Sequence, residues 1–455
     1  MKGKIVKLLT LLLVASLFLA ACGGGAAEEP MEEPMEEPAA EEPMEEPAEE
    51  PAEEPTAEEP MMEEVTVTIG FTSSLTGAQE VSSKRQVNGF NLWMEQTNEA
   101  GGVTLSDGTV VKFAAQTYDD ESNAERVQQL YQTLITEDNA DFLISPYSSG
   151  LTSAASIVAE QNGKVMITAG AADDDAYKTG NTSLFQLYTP ASLYMSSTVD
   201  MLKELDPEAK VALVHESDKF STTVTEGIKP YLEANGFEIV LEEGYASETT
   251  DFGPIVNKIA GSGATVLLGG GHYNDGTALA RALFDRNVGM KFAYLLVAPA
   301  DSKFPELGDA ALGIATSSQW ELAATHTEAE AANLGMDWFG PTGEEFAAAY
   351  EATYGDPPTY HVAGGYTAGL LLQKAIIDAD SVDPEAVKAA LNAMNLMTFY
   401  GGIVFDTSEE AHGLQIAHKM VVAQWQKNDA GELERVIIAP ADVATADPLY
   451  PIPAP

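Results

Sequence analysis

The side chains able to do covalent or metal chemistry are few and scattered in this sequence. There is one cysteine, Cys22, and the six histidines stand at positions 215, 272, 326, 361, 412 and 418. No spacing of His and Cys reads as a metal site. No Ser, His and Asp grouping falls at triad spacing. Gly269-Gly270-Gly271 follows an apolar segment, yet neither Gly-Lys-Ser/Thr nor the full dinucleotide spacing comes after it, so a phosphate loop is not indicated. Asp119-Asp120 and Asp173-Asp174-Asp175 read as strand-end caps and solvated turns before they read as a cation site. What remains is non-covalent recognition. Residues 73–76, 145–149, 168–175, 215–220, 269–275 and 297–301 are short segments, several of them dominated by Ser, Thr, Gly and Ala. Such segments let a ligand approach the backbone and supply hydroxyl and N–H donors. No cofactor and no metal is expected.

Those segments need elements to hold them at one place. Residues 65–71 read as a first strand, followed by a helical pattern with Val87, Phe90, Met94 and Thr97 on one face that stops at Gly101-Gly102. Asp107-Gly108 turns the chain into a strand around 110–117. Ser122-Asn123-Ala124-Glu125 matches a helix capping box, and Val127, Leu130, Tyr131, Leu134 and Ile135 behind it keep the spacing of one buried face. Strands are then expected at 141–145, 164–168, 210–215, 237–241, 264–268 and 291–297. Helices are expected between them, at 149–162, 193–205, 220–235, 252–260 and 274–286. Short, uniformly apolar strands separated by helices indicate parallel sheets covered on both faces. The later part is helical from about 342 to 392, then turns to strands at 397–405 and 417–426. One sheet would need about a dozen strands, so two lobes are more economical. In open α/β sheets ligands bind beyond the carboxyl ends of the strands, which is where the six segments fall. Helices beginning at Ser149 and Phe220 favour an anion such as a carboxylate at their N-termini.

The first 64 residues read differently. Lys2, Lys4 and Lys7 precede an uncharged run ending in Leu19-Ala20-Ala21-Cys22, which describes a secretory signal peptide over residues 1–21. The cysteine after Leu-Ala-Ala resembles a bacterial lipobox, which implies cleavage before Cys22 and lipidation of its sulfur. The uncharged stretch extends through Gly25, about the length a bilayer needs, so a plain transmembrane anchor competes. The following glycines and the uniqueness of Cys22 favour the lipoprotein. Glu-Glu-Pro then occurs eight times before residue 61, in a stretch from 23 to 64 with eighteen Glu and no Lys, Arg or aromatic residue. It lacks the apolar surface to offset ordering, so 22–64 is expected to be a disordered tether reaching on the order of 100 Å. An acidic tail for a basic partner is the competing reading. Of the formal charge of −48, the leader contributes +3 and the tether −18, leaving −33 for residues 65–455. An acidic body excludes nucleic acid as a partner, since phosphate binding needs clustered Lys and Arg.

An ordered set of residues now carries a specific resemblance. Residues 67–77, Gly101-Gly102, Tyr118-Asp119-Asp120, 145–149, 165–172, Leu213-Val214-His215, Thr250-Asp251-Phe252, 269–272 and 421–425 occur in order, at familiar spacing. Over residues 65–440 the chain resembles the type I periplasmic binding proteins of the leucine/isoleucine/valine-binding family. The resemblance implies two Rossmann-like lobes joined by three hinge crossings, near 188–191, 316–321 and 398–403. Lobe 1 would hold about 65–188 and 320–398, lobe 2 about 189–319 and 399–440, and 441–455 would be a Pro-rich tail. It also implies a ligand in the cleft, ABC permease subunits as partners, and a monomer outside the cytoplasmic membrane.

Carried over residue by residue, the resemblance gives a mixed site. Ser149, with Ser148 and Tyr147 beside it, falls in the loop that holds a ligand carboxylate, although Ser149 also fits a helix N-cap. Gly170, Ala171 and Ala172 occupy the next loop, without the hydroxyl the family places there. Phe220 stands where an aromatic of the second lobe covers the ligand, with core packing as the competing role. Tyr273 lies in another contact region. Trp320, near a crossing, lines the cleft or packs. The family's amino-acid binders neutralise the ligand ammonium with a glutamate where this chain has Pro299. Asp301, two residues on, substitutes for it or caps the next helix. Burying an ammonium without an anionic partner costs several kcal/mol. The expected function is a lipid-anchored solute-binding protein of an ABC importer, without catalysis, for a branched-chain or other hydrophobic amino acid. An amide, urea or aromatic acid is the alternative ligand. A ligand-sensing receptor module of the same fold, and an extracellular enzyme, are the competing functions.

Overall fold

The computed structural model describes residues 63–454. The leader, Cys22 and nearly all of the tether lie outside the described residues. Among the described residues, no helix is long and apolar enough to cross a membrane.

Two sheets carry the molecule. The first has six strands in the order Val103–Thr104, Val110–Asp119, Glu64–Ser73, Phe142–Ile144, Met166–Thr168, Leu184–Gln186. All pair in parallel except the first, which runs antiparallel to Val110–Asp119. The three-residue strand Phe142–Ile144 shows why its sequence is apolar throughout. Phe142 and Ile144 enter the main core with Phe90 and Trp93, while Leu143 faces the opposite cluster with Tyr131, Leu134 and Leu151. Both faces are covered, so no position is left for a polar residue.

One of those faces is covered by Glu80–Glu99 packed on Tyr360–Ala379, a helix far along the chain. The two approach so closely that a methyl group on Gly89 would come within 1.9 Å of the Val362 carbonyl oxygen, and one on Gly365 equally close to that of Gln86. This contact brings Arg85, Gln86, Tyr360 and His361 to one end of the first sheet.

The second sheet has seven strands in the order Leu433–Ala439, Val421–Lys427, Ile314–Ser318, Phe292–Leu295, Val266–Gly270, Lys210–Glu216, Glu238–Tyr245. Five are parallel and the last two in sequence are antiparallel. The sheets are therefore mixed and largely parallel, which modifies the expectation of purely parallel ones. A third, three-stranded sheet joins Asp337–Trp338, Asn395–Thr398 and Gly401–Val404.

The chain passes three times between the lobes. The first passage follows Leu184–Gln186 and the second follows Ile314–Ser318. The third is not at 398–403. There, Asn395–Thr398 and Gly401–Val404 form a hairpin, and Phe405 bridges to Gln415, so the chain stays with the first lobe until it joins the second sheet at Val421. The passages bind one another at Gln319. Its Oε1 accepts from the Thr189 N–H at 3.1 Å, and its carbonyl accepts from His418 Nε2 at 2.9 Å. Burial lowers the His418 pKa to about 3, so the ring is neutral and Nε2 carries the proton.

Two further expectations shift. Asn123, not Ser122, caps Ala124–Thr136, accepting from the Arg126 N–H, because Ser122 adopts φ +57° and turns its hydroxyl to the Thr76 carbonyl. The segment after 440 is packed against the second lobe, where the Ile452 N–H donates to the Lys291 carbonyl and Gln424 holds Leu449.

Candidate functional site

The strand ends of the two sheets face each other across a narrow cavity of about 10 Å³, room for about one water molecule. Wider surface hollows, such as one of about 910 Å³ beside Asp200, Glu204 and Pro440, lie away from the strand ends. The first lobe contributes Tyr147, Ser148, Ser149, Gly170, Ala172 and Tyr360. The second contributes Tyr194, Phe220, His272 and Val297, and Tyr188 enters from the first passage.

Ser148 and Ser149 divide two tasks. Ser148, at φ +86°, caps helix Ser149–Gln161, and its Oγ accepts from the Leu151 N–H at 3.4 Å. Ser149 is the first residue of that helix. Its Oγ accepts the N–H groups of Ala172 at 3.2 Å and Asp173 at 3.1 Å. With both lone pairs of the hydroxyl occupied, the Ser149 O–H is left as a donor.

The second lobe presents a charge. His272 Nε2 lies 3.0 Å from Asp218 Oδ2. Burial alone would lower the His272 pKa, but Asp218, with Glu216 and Asp275 beyond it, raises it to about 9. The ring is an imidazolium near neutral pH. One atom from each of Glu216, Asp218 and His272 lies within 4.8 Å of the others, and the proton on His272 supplies the positive charge there. Asp218 is held in turn as the cap of helix Lys219–Ala234, accepting from the Ser221 N–H at 2.8 Å. The other ring nitrogen, Nδ1, reaches the Tyr147 hydroxyl at 3.4 Å. On its far side that hydroxyl meets His361 Nε2 at 3.3 Å. Burial, reinforced by Arg85 and His272, holds His361 well below the usual histidine range. The imidazolium of His272 can only donate to Tyr147, and the neutral His361 shares the same hydroxyl. The Tyr188 hydroxyl is buried without a partner among the described residues.

Of the residues singled out in the sequence, Tyr147, Ser148, Ser149, Gly170, Ala172 and Phe220 come together on the cavity. Phe220 packs its ring 5.2 Å from Tyr194 and 5.7 Å from His272. Ala171 is buried beside the cavity without lining it. Tyr273 begins helix Tyr273–Asp285 and packs against the core of the second lobe. Trp320 packs edge-on against Phe346 and Phe399. Asp301 is 2% exposed and does not line the cavity. Its Oδ1 accepts from the Lys303 N–H at 2.9 Å, and its Oδ2 lies 3.4 Å from Arg85 Nε. Among the described residues no carboxylate lines the cavity.

Sequence reasoning passed over Tyr188, Tyr194, His272, Val297 and Tyr360. His272 stands next to Tyr273 in a segment already marked as a contact region, so a signal for it existed. Tyr360 comes from a helix placed only by tertiary packing and had no local signal.

Two sheets whose strand ends meet over one cavity, lined by hydroxyls from one side, by His272 from the other and by aromatic rings from both, have the geometry of a two-lobed binding cleft. The chain belongs to the periplasmic binding protein family, whose model matches residues 66–431. It is 23% identical over 375 residues to "Leu/Ile/Val-binding protein homolog 7" of Brucella melitensis, covering 79% of this chain and 89% of that one. It is 22% identical over 366 residues to the leucine-, isoleucine-, valine-, threonine- and alanine-binding protein of Pseudomonas aeruginosa, covering 80% and 91%. In fold it is similar to the branched-chain amino acid transporter substrate-binding protein of Streptococcus pneumoniae in complex with isoleucine. The TM-score is 0.67 and the identity 20%, over 83% of this chain and 100% of that one. A solute-binding protein of an R. palustris ABC transporter in complex with benzoate is similar too, with TM-score 0.69, 18% identity, and coverage of 86% and 98%. Membership of a family of binding proteins agrees with the expectation of no catalysis.

Proposed function

We propose that this chain is the solute-binding component of an ABC importer and that its ligand is a small carboxylate lacking an ammonium group, of which an aromatic acid is the leading case. The single observation that carries the ligand class is the charge of the cavity. His272 faces it as a cation, while Asp301 is engaged by Arg85 and, among the described residues, no carboxylate lines the cavity. Both His272 ring nitrogens are already engaged, by Asp218 and Tyr147, so the imidazolium favours a ligand carboxylate through its charge and not through a direct hydrogen bond. A buried ammonium would instead meet that cation with no carboxylate among the lining residues to pair it. Ser149 O–H and the N-terminus of its helix supply donors from the other lobe. Tyr188, Tyr194, Phe220 and Tyr360 supply ring faces for an aromatic body. The benzoate complex of a structural relative is consistent with this chemistry.

The mechanism is closure. The ligand first meets the hydroxyls and N–H groups of the first lobe, and Phe220, His272 and Val297 add their contacts only when the lobes come together. Contacts made in one state alone shift the population towards it. The anchor belongs to the same reading. Cys22 carries a lipid, residues 22–64 hold the monomeric body away from the outer face of the cytoplasmic membrane, and permease subunits receive the ligand.

A branched-chain amino acid is the second reading, favoured by the names of both curated relatives. Calorimetric titration of the protein with benzoate, 4-hydroxybenzoate, isoleucine and leucine separates the two. Tight binding of a benzoate with isoleucine at least a hundredfold weaker supports the proposal. The reverse order would sink it in favour of the amino acid.

A further inference from the structure

The two rims of the cleft each carry a cation that reaches from one lobe into the other. On one rim Arg85, in helix Glu80–Glu99 of the first lobe, lies 3.4 Å from Asp301 and donates to Ser302 Oγ at 3.1 Å, both in the second lobe. On the other rim Lys219, in helix Lys219–Ala234 of the second lobe, lies 2.7 Å from Asp175 and 3.4 Å from Asp173, both in the first. Thr223, one turn on from Lys219, donates to Asp173 Oδ1 at 3.0 Å.

We propose that Arg85 and Lys219 are positioning residues that set how long the closed state lasts, and with it the residence time of the ligand, without touching the ligand themselves. Every one of these contacts joins two lobes, so each is made on closing and broken on opening. The rims differ in kind. Arg85 has a further carboxylate partner, Asp356, within its own lobe, so its guanidinium stays in place when the lobes part and is ready to re-engage Asp301. Its side chain is 10% exposed and that of Asp301 3%, which shields the pair from salt. Lys219 is 38% exposed and loses both carboxylates on opening, so salt screens it more effectively. Arg85 is therefore the stronger latch and Lys219 the salt-sensitive one. Interactions present only in the bound, closed form act on dissociation more than on association.

This inference rests on the closing-cleft reading of the protein but not on the identity of the ligand, so its first test needs none. Spin labels at the exposed positions Glu121 and Glu248, one per lobe, with Cys22→Ser, report the interlobe distance by pulsed electron resonance. In the otherwise unchanged protein, the short-distance population should fall as NaCl rises from about 0.05 to about 1 M, with a Debye length shrinking from above 10 Å to about 3 Å. Arg85→Ala should shift the distribution to long distances at every salt concentration, and Lys219→Ala should abolish most of the salt response. Arg85→Lys should recover part of the short-distance population, which separates a latch from a folding defect. Distributions in both alanine variants that match the parent at every salt concentration would overturn the proposal. With whichever acid or amino acid proves to bind, Arg85→Ala should raise the dissociation rate about tenfold or more and change the association rate less than threefold. An unchanged dissociation rate would also overturn it, while leaving the ligand assignment standing.

Discussion

His272 of the second lobe and Tyr147 of the first meet across the cleft, with Nδ1 3.4 Å from the phenolic oxygen. The contact joins a charged donor to a hydroxyl that on its other side meets the neutral His361 at 3.3 Å. His272, Tyr147 and His361 thus form a line of polar contacts from one lobe to the other at the wall of the cavity.

A pH dependence follows from that proton. The His272 pKa is raised from an ordinary 6.5 to about 9, so the folded state holds the proton more tightly than the unfolded one. The stabilisation this provides is fully present below about pH 6.5 and is lost as pH rises through 9. Affinity for a carboxylate ligand should follow the same course, flat to about pH 8 and falling between about pH 8 and 10. His272→Gln should weaken binding at pH 7 and flatten the profile. Calorimetric titrations from pH 6 to 10 on both proteins test this, and an alkaline fall that persists in His272→Gln would assign the proton elsewhere.

Ser149→Ala should weaken ligand binding by about 1–3 kcal/mol, the cost of losing a donor to a desolvated group. It should also lower stability, because the Ala172 and Asp173 N–H groups both rely on that oxygen. The conservative Ser149→Thr keeps the oxygen and tests whether the added methyl is tolerated at a 2% exposed position. Chemical denaturation and titration together read both effects. Full retention of binding in Ser149→Ala would move the ligand away from this loop.

The fold was largely legible because its signals are local. Strand Phe142–Ile144 is apolar at every position, and Gly101-Gly102 ends a helix as such pairs do, with φ of +106° and +84°. The third passage was misplaced because residues 397–405 read as one strand, whereas Gly401, at φ +146°, lets the chain fold back as a hairpin. In the site, the hydroxyl loops were legible because Ser and Gly cluster at strand ends. The fate of Asp301 was not. Its partner Arg85 lies 216 residues away in sequence, and nothing near either residue points to the other. Tyr360 is hidden for the same reason, since only the close packing at Gly89 and Gly365 brings its helix to the cleft.

The anchor and the body should separate cleanly. Cys22→Ser should leave the protein uncleaved or release it from the membrane fraction, and mass spectrometry of the mature protein should find lipid on Cys22. A chain beginning at Val65 should bind its ligand as the full mature protein does, because the Glu-Pro segment has no aromatic or β-branched aliphatic residue with which to dock. A loss greater than about tenfold, or 1.4 kcal/mol, would mean that the segment folds back on the cleft.

Gln319 offers the sharpest test of the hinge. Its side chain accepts from the Thr189 N–H at 3.1 Å and donates to the Tyr194 hydroxyl at 2.8 Å, while its carbonyl accepts from His418. It thus ties the second passage to the first by side chain and to the third by main chain, at 2% exposure. Gln319→Leu is close in size but leaves the Thr189 N–H and the Tyr194 hydroxyl without their partner. Stability should fall by about 1–3 kcal/mol for the unpaired N–H alone. Tyr194 also lines the cavity, so its ring loses a fixed position and ligand affinity should fall with it. Gln319→Glu is the informative companion. An ionised carboxylate still accepts from Thr189 and can accept from the Tyr194 hydroxyl in place of donating to it, so much of the geometry can survive. If Gln319→Leu lowers stability and affinity together while Gln319→Glu largely preserves the affinity, the hinge bond orders the site. If both variants bind as the parent does, the passages are held by packing alone and the polar tie at Gln319 is incidental.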